Sequence, residues 1–288
     1  MHHATPLSAP RSPVVYRSML FVPGDRPDRF HTALAAGAGA VCIDLEDAVA
    51  PNRKEVARVA VSTFLAEQRP EGGPDVIVRL NDPESKEWRD DVKAVSTNRP
   101  DALMIPKVKT EEGVKWVADV FGAGVRLLPL IETAQGLDNV TWIASATSAV
   151  SALVFGGFDL ALQLGAVPEW DSLLYARSRV VHAAALNRIA AIDMPSRDID
   201  RPDALREEAD RARRMGFAGK IAIHPAQVPV IEEVFTPSPE QVAWARRVDQ
   251  ASQESGEGAV MVDGKMVDRP IAEAARRILA AADGGPGL

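Results

Sequence analysis

The sequence lacks the cysteines and the long apolar runs that mark several classes of protein. Cys42 is the single cysteine among 288 residues, so the chain cannot form an internal disulfide framework, and a reducing cytoplasm fits this composition. No apolar stretch approaches the roughly 20 residues needed to cross a bilayer. We therefore expect a cytoplasmic protein with no membrane partner.

An excess of basic residues and two glycine-rich phosphate motifs are also missing. The chain carries 33 basic and 40 acidic residues, a formal charge of −7, which argues against nucleic acid as a partner. Neither GxGxxG nor GxxxxGK[ST] occurs, which disfavours a dinucleotide-binding or P-loop fold. Residues 1–16 have no apolar core and are predicted to form a flexible leader, not a secretory signal.

The region 17–236 alternates short apolar runs with helical patterns. The runs are rich in Val, Ile and Leu without polar alternation, which is typical of parallel strands covered on both faces. Eight such units favour a (β/α)8 TIM barrel of the α/β class over an open doubly wound sheet, although periodicity alone leaves the open sheet as an alternative. The strand-like runs are SMLFVPG, AVCIDLED, DVIVRLN, ALMIPKV, RLLPLIET, ALVFGGFD, AAIDMP and GKIAIHP.

Residues 237–288 have a different pattern and predict a small C-terminal extension. A helix that starts with proline precedes GAVMVDGKMVDRP, where apolar residues flank Asp263-Gly264, a strong signal for a two-residue hairpin turn. A closing helix, IAEAARRILAAA, follows. This helix-hairpin-helix segment is too small for an independent domain, so we expect it to pack on the barrel or on an adjacent subunit.

Polar side chains gather where the predicted strands end. In a barrel of this kind the functional groups lie at the carboxyl ends of the strands, so these residues should meet at one rim. The strand-end residues are Asp44, Glu46, Asp47, Arg79, Asn81, Lys107, Glu132, Asp159, Asp193 and His224.

Glu132 and Asp159 end consecutive strands and are the candidate metal ligands. Buried carboxylates cost several kcal/mol unless they are paired or bind a cation, and Mg²⁺ is commonly held by one or two carboxylates plus water and substrate oxygens. Asp44, Glu46 and Asp47 would then accept hydrogen bonds from metal-bound waters. No cysteine cluster or histidine pair has ligand spacing, so zinc is disfavoured.

Structural interpretations compete with each of these roles. A single strand-end aspartate such as Asp159 is more often a helix N-cap. Arg79 could pair with Glu46 only to hold the fold together, and Lys107 could be a solvated rim residue. His224, which precedes a proline, is more often a structural histidine than an acid or base.

Eight motifs occur in an order that resembles a known family. From about Arg17 to Leu279 the chain is similar to the HpcH/HpaI aldolase/citrate lyase superfamily, within it the citrate lyase β-subunit-like branch. Each motif is weak alone, and their order is specific. The motifs are RSMLFVPGDRPDRF, IDLEDAV, VRLN, IPKV, IETAQG, GGFDLALQLG, GFAGKIAIHPAQ and GKMVDRP.

The resemblance implies a chemistry and assigns roles to residues. It implies a homo-oligomeric (β/α)8 barrel, a trimer or hexamer, with Mg²⁺-dependent cleavage or formation of a carbon–carbon bond in a malyl-, citramalyl- or citryl-thioester, releasing a 2-oxo acid. Glu132 and Asp159 would bind the metal, and Arg79 would contact the reacting oxygen or the carboxylate of the substrate. Asp268 would reach an adjacent subunit's site as general acid/base. The residues implied for the CoA phosphates are Arg17, Arg26 and Lys54.

Departures from the family pattern define the rival interpretations. Phe158 stands where the family often has an acidic residue, and no histidine lies near IDLEDAV, which disfavours a pyruvate-type aldolase. The remaining alternatives are the citryl-lyase subunit of a citrate lyase complex, acting on an acyl carrier protein, and a barrel that binds acyl-CoA without catalysis.

Overall fold

A computed structural model of the chain describes residues 15–67, 72–122, 124–256 and 258–283. The predicted leader therefore lies outside the described residues except at its end, where Tyr16 is buried and its hydroxyl donates to Asp75. Within the described ranges, no helix is long and apolar enough to cross a membrane.

Eight parallel strands close into a barrel in sequence order, as predicted, and the first strand pairs with the eighth. The strands are β1 Ser18–Pro23, β2 Ala40–Asp44, β3 Asp75–Arg79, β4 Ala102–Ile105, β5 Arg126–Ile131, β6 Ala152–Phe155, β7 Ala190–Asp193 and β8 Gly219–Ala222.

Helices connect the strands and surround the barrel. Short 3-10 helices at Pro27–Arg29, Pro51–Arg53 and Pro225–Gln227 precede three of them. The α-helices are α1 Phe30–Leu34, α2 Lys54–Leu65, α3 Trp88–Ser96, α4 Glu111–Phe121, α5 Ala134–Asp138, α6 Val140–Ala144, α7 Gly157–Leu164, α8 Leu174–Leu186, α9 Pro202–Met215, α10 Val228–Phe235, α11 Pro239–Glu254 and α12 Arg269–Ala282.

The core has two layers because successive strand residues point to opposite faces. Small and aliphatic side chains such as Ala40, Cys42 and Ile77 fill the barrel interior. Their neighbours in sequence, such as Val41 and Ile43, pack outward against the helices. Burial on both faces explains why the strands appear as continuous apolar runs.

The C-terminal extension forms the predicted helix-hairpin-helix. Strands β9 Val260–Val262 and β10 Lys265–Val267 pair antiparallel around Asp263 and Gly264, both with positive φ. These strands and helices α11 and α12 enclose a small apolar cluster separate from the barrel core. The last turn of α12 meets the barrel through Arg17, whose guanidinium donates to the Ala281 carbonyl.

Candidate active site

The alternation of side chains along the strands places three predicted residues in the barrel interior at the carboxyl rim. Asp44 lies two positions after the interior residue Cys42, and Arg79 two after Ile77. Glu132 follows Leu130, another interior residue, by the same step. Because side chains alternate with a period of two, all three face the barrel axis.

Arg79 is held rigidly at the centre of the rim. Its Nε and Nη2 donate to the two Asp44 carboxylate oxygens at 2.7 and 2.6 Å, and the guanidinium lies 5.2 Å from the centre of the Phe21 ring. Burial works against the charge, but Asp44 and Glu46 hold the pKa of Arg79 well above its usual value. A bidentate pair of this kind fixes the orientation of the guanidinium plane.

Asp44 has no oxygen left for a metal-bound water. Besides Arg79, its carboxylate accepts the backbone N–H groups of Glu46 at 2.8 Å and Ala48 at 3.0 Å. The structure therefore gives it a different task from the expected one, because it anchors both Arg79 and the loop after β2.

Glu46 lies between two cations and keeps one oxygen unsatisfied. Its Oε1 accepts from the Lys107 ammonium at 2.6 Å, while its Oε2 lies 2.8 Å from Nη1 of Arg79. The N–H groups of Nη1 do not point at Oε2, which remains a buried acceptor without a hydrogen bond. Burial raises the pKa of Glu46 to about 7, although Arg79 and Lys107 act in the opposite direction. The alternative that Arg79 pairs with Glu46 therefore describes one part of a larger ion network.

Glu132 is a buried carboxylate that accepts few hydrogen bonds from the protein. Its Oε1 accepts the backbone N–H of Lys107 at 2.8 Å. Burial, followed by the negative charges of Glu46 and Asp159, raises its pKa well above the usual range. A Cβ on Gly156 would lie 2.5 Å from both Cβ and Oε2 of Glu132, so only glycine leaves room for this carboxylate.

Asp159 lies in the first turn of α7, and the helix N-cap is Gly156. The N-cap interpretation of Asp159 is therefore wrong. Its side chain is 36% exposed and its Oδ2 lies 4.0 Å from the Lys107 ammonium. Asp47, 58% exposed, lies 3.6 Å from the same ammonium. Phe158 packs against the outer core with Arg197 above its ring.

These side chains fit a divalent cation. The negative charge of Asp159 is one of the influences that raise the pKa of Glu132, after burial and Glu46, and a cation held by Glu132 and Asp159 would offset this repulsion. Oε2 of Glu46 has no hydrogen-bond partner and could accept from a metal-bound water. In the described part of the chain no three His, Cys, Asp or Glu side chains are grouped to hold a metal. Two carboxylates plus water and substrate oxygens is the pattern that suits Mg²⁺.

The three residues expected to bind CoA phosphates lie in different environments. The Lys54 ammonium donates to the carbonyls of Leu45 and Glu46 and to Asn81, each at 2.6 Å, which uses all three of its N–H groups. Arg17 precedes β1 and lies at the amino end of the barrel, opposite Glu132. Arg26 follows β1 at the carboxyl rim, and it pairs with Asp28.

Three further sequence candidates make contacts with residues other than the rim carboxylates. His224 caps the 3-10 helix after β8 by accepting the Ala226 N–H, a contact that favours its structural interpretation. Asp193 points outward and pairs with buried Arg177 and Lys220. Asp268 is the N-cap of α12, where its carboxylate accepts the Ile271 N–H.

Lys107 is the central residue that sequence reasoning left undecided. It touches Glu46 and lies near Asp47 and Asp159, while its backbone holds Glu132. The available signal was its position near the end of β4, two residues after the strand ends.

The comparisons with known proteins agree with this geometry. The HpcH/HpaI aldolase/citrate lyase family model matches residues 17–225, most of the chain. The chain belongs to this family. It is 32% identical over 287 residues to the mitochondrial citramalyl-CoA lyase of Rattus norvegicus, covering 91% of this chain and 85% of that protein. It is 35% identical over 273 residues to the (3S)-malyl-CoA thioesterase of Cereibacter sphaeroides, covering 93% and 95%.

A solved structure extends the likeness to three dimensions. The CitE protein of Mycobacterium tuberculosis, in complex with magnesium, acetoacetate and coenzyme A, matches with a TM-score of 0.80 and 33% identity. The match covers 94% of this chain and 98% of that one. The family member described here therefore shares both the barrel and the C-terminal region with a relative that binds magnesium and coenzyme A.

Proposed function

We propose that the protein is a Mg²⁺-dependent carbon–carbon lyase that cleaves, or forms, a 3-hydroxy-3-carboxyalkyl-CoA thioester such as malyl-, citramalyl- or citryl-CoA. The products of cleavage are an acyl-CoA and a 2-oxo acid. The observation that carries the proposal is the placement of Glu132, Asp159 and Arg79 at one barrel rim. Relatives named for citramalyl-CoA and malyl-CoA support the substrate class.

Glu132 and Asp159 are the residues that would hold the metal. Bound Mg²⁺ would act as a Lewis acid on the carbonyl of the 2-oxo acid. Because the chain offers two carboxylates, the remaining metal positions are left for water and for the substrate's own oxygens.

Arg79 would stabilise negative charge on the reacting oxygen. Asp44 fixes its guanidinium before substrate arrives. The N–H groups of Nη1 and Nη2 that Asp44 does not use would donate to the reacting oxygen. A donor that needs no reorganisation stabilises charge developing in the transition state more effectively than a mobile one.

Asp268 would act as general acid/base on the carbon that leaves with the thioester. Cleavage leaves an electron pair on that carbon, which takes up a proton, and synthesis removes the same proton. In the described residues, Asp268 belongs to the extension and bonds to its own helix, so we propose that it serves the rim of an adjacent subunit in a trimer or hexamer. A cytoplasmic location is part of the same proposal.

A panel assay tests the proposed activity. Malyl-, citramalyl- and citryl-CoA are incubated with and without Mg²⁺, and the acyl-CoA and 2-oxo acid are measured. We expect metal-dependent cleavage of one substrate, a loss of at least about a hundredfold in Asp159→Asn and Glu132→Gln, and full activity in Asp119→Asn, whose carboxylate is exposed on α4.

Other outcomes would point to the alternatives. Release of free CoA without a 2-oxo acid would indicate a thioesterase. Cleavage only of a citryl group on an acyl carrier protein would indicate the citrate lyase β subunit. Binding of CoA esters without turnover of any substrate would contradict the enzyme and favour a binding barrel.

A further inference from the structure

Lys107 combines an unusual backbone with a central position. It follows β4 after Pro106 and adopts φ +49°, a left-handed backbone conformation that residues other than glycine rarely take. This turn interrupts the alternation of side-chain directions along the strand. The backbone N–H is directed at Glu132, while the side chain reaches back across the rim to the loop after β2.

The two ends of Lys107 contact carboxylates on both sides of the proposed metal site. The backbone N–H donates to Oε1 of Glu132 at 2.8 Å. The ammonium lies 2.6 Å from Oε1 of Glu46 and 4.0 Å from Oδ2 of Asp159. Its side chain is 28% exposed, and its one short hydrogen bond to a carboxylate is the one to Glu46.

Carboxylate side chains outnumber cationic side chains at the rim. Five carboxylates gather there, together with the cationic groups of Arg79, Lys107 and Lys54. Arg79 is fixed by Asp44, and Lys54 is held by three acceptors, so neither can move to compensate the others. The Lys107 ammonium, by contrast, makes one close hydrogen bond and two longer ion pairs. The carboxylates are Asp44, Glu46, Asp47, Glu132 and Asp159.

We propose that Lys107 is a tethered counter-cation that controls metal affinity: its ammonium neutralises the rim when no metal is bound and is pushed away from Asp159 when the metal enters. The inference rests on the metal site of the proposed function and adds a competing cation to it. Lys107 is a positioning residue, since it acts through the carboxylates. Its role is to keep the metal-free barrel stable while making metal binding weaker and reversible.

Removal of the charge separates this role from a purely structural one. A structural lysine would support the loop that holds Glu132, so its loss would weaken metal binding. A competing cation has the opposite effect, because deleting it removes repulsion between two positive centres a few ångströms apart. The sign of the change in metal affinity therefore decides between the two.

The experiment measures free Mn²⁺ by electron paramagnetic resonance during titration of the metal-free protein. Lys107→Met and Lys107→Gln should bind Mn²⁺ about tenfold more tightly than the wild type, and both should melt at a lower temperature in EDTA. Lys107→Arg, which restores the charge, should return the affinity toward the wild-type value. Lys109→Met is the matched control, because Lys109 lies two residues away and pairs with exposed Glu84.

Two results would overturn the proposal, and they are distinguishable. If the wild type binds Mn²⁺ and Asp159→Asn does not, but Lys107→Met binds no more tightly, the metal site stands and the role of Lys107 is refuted. If neither the wild type nor any Lys107 variant binds Mn²⁺, the proposed metal site is refuted together with it.

Discussion

Glu46 shows how burial at the rim creates a pH-sensitive group. Its side chain is 4% exposed, and burial raises its pKa from 4.5 to about 7. Between these two values the folded carboxyl keeps a proton that the unfolded chain has lost. Its contribution to stability is therefore complete below pH 4.5 and is lost as the pH rises through 7.

Glu46→Gln should remove this pH dependence. Glutamine resembles the protonated carboxyl, so at pH 5 the variant and the wild type should melt at similar temperatures in EDTA. At pH 8, where the wild type carries the buried charge, the variant should gain roughly 5 °C relative to it. Thermal unfolding followed by circular dichroism gives both differences. A gap that stays constant or shrinks with rising pH would contradict the assignment.

Single residues also show where sequence reasoning is weakest. The position of Arg17 at the amino end of the barrel could have been predicted from the sequence, because Arg17 precedes a strand and the rim residues follow strands. The contacts of Lys54 could not have been predicted, since its three acceptors include two backbone carbonyls whose directions depend on the loop after β2. Asp44 was expected near metal-bound water, but Arg79 and two backbone N–H groups already occupy its oxygens.

At the scale of elements, the pairing of β5 with β6 builds the site. Leu130 pairs with Val154 and Ile131 with Phe155, so the next step in register places Glu132 beside Gly156. The absence of a side chain at Gly156 is therefore a requirement of the register. The strand ends can be predicted from the sequence, but the lateral neighbour of each residue follows only from the closed sheet.

Gly156→Ala should displace the Glu132 carboxylate. The new Cβ would overlap Oε2 at 2.5 Å. We expect the free energy of unfolding to fall by about 1–3 kcal/mol and metal binding to weaken. Gly113→Ala is the matched control, since a Cβ there in helix α4 meets nothing within 4 Å, and it should stabilise the helix by about 0.5–1 kcal/mol. Urea unfolding with Mn²⁺ titration measures both, and equal behaviour of the two variants would contradict the steric argument.

At the scale of the whole molecule, the extension is anchored far from the site it is proposed to complete. The end of α12 meets Arg17 at the amino end of the barrel, and the extension encloses its own apolar cluster. Eight apolar runs and one Asp-Gly turn were sufficient to predict the barrel and the hairpin. The direction in which Asp268 points depends on packing between elements. The residue pattern therefore could not predict it.

Mixing two inactive variants tests whether Asp268 serves a neighbouring subunit. Asp159→Asn and Asp268→Asn should each be inactive alone. If the site is shared, mixed oligomers contain some rims with an intact Asp159 and a partner's intact Asp268, so activity should return after the subunits are exchanged. The 2-oxo acid assay measures this recovery. Persistent inactivity of demonstrably mixed oligomers would show that each chain uses its own Asp268, or none.

The central claim is that Glu132 and Asp159 hold a divalent cation at the carboxyl rim. Anomalous diffraction from crystals soaked in Mn²⁺ tests it most directly. The account predicts a strong peak within about 2–2.5 Å of one oxygen from each carboxylate, with Lys107 shifted away from Asp159. A Mn²⁺ peak elsewhere in the molecule, or an ordered rim with no peak between these two carboxylates, would contradict it.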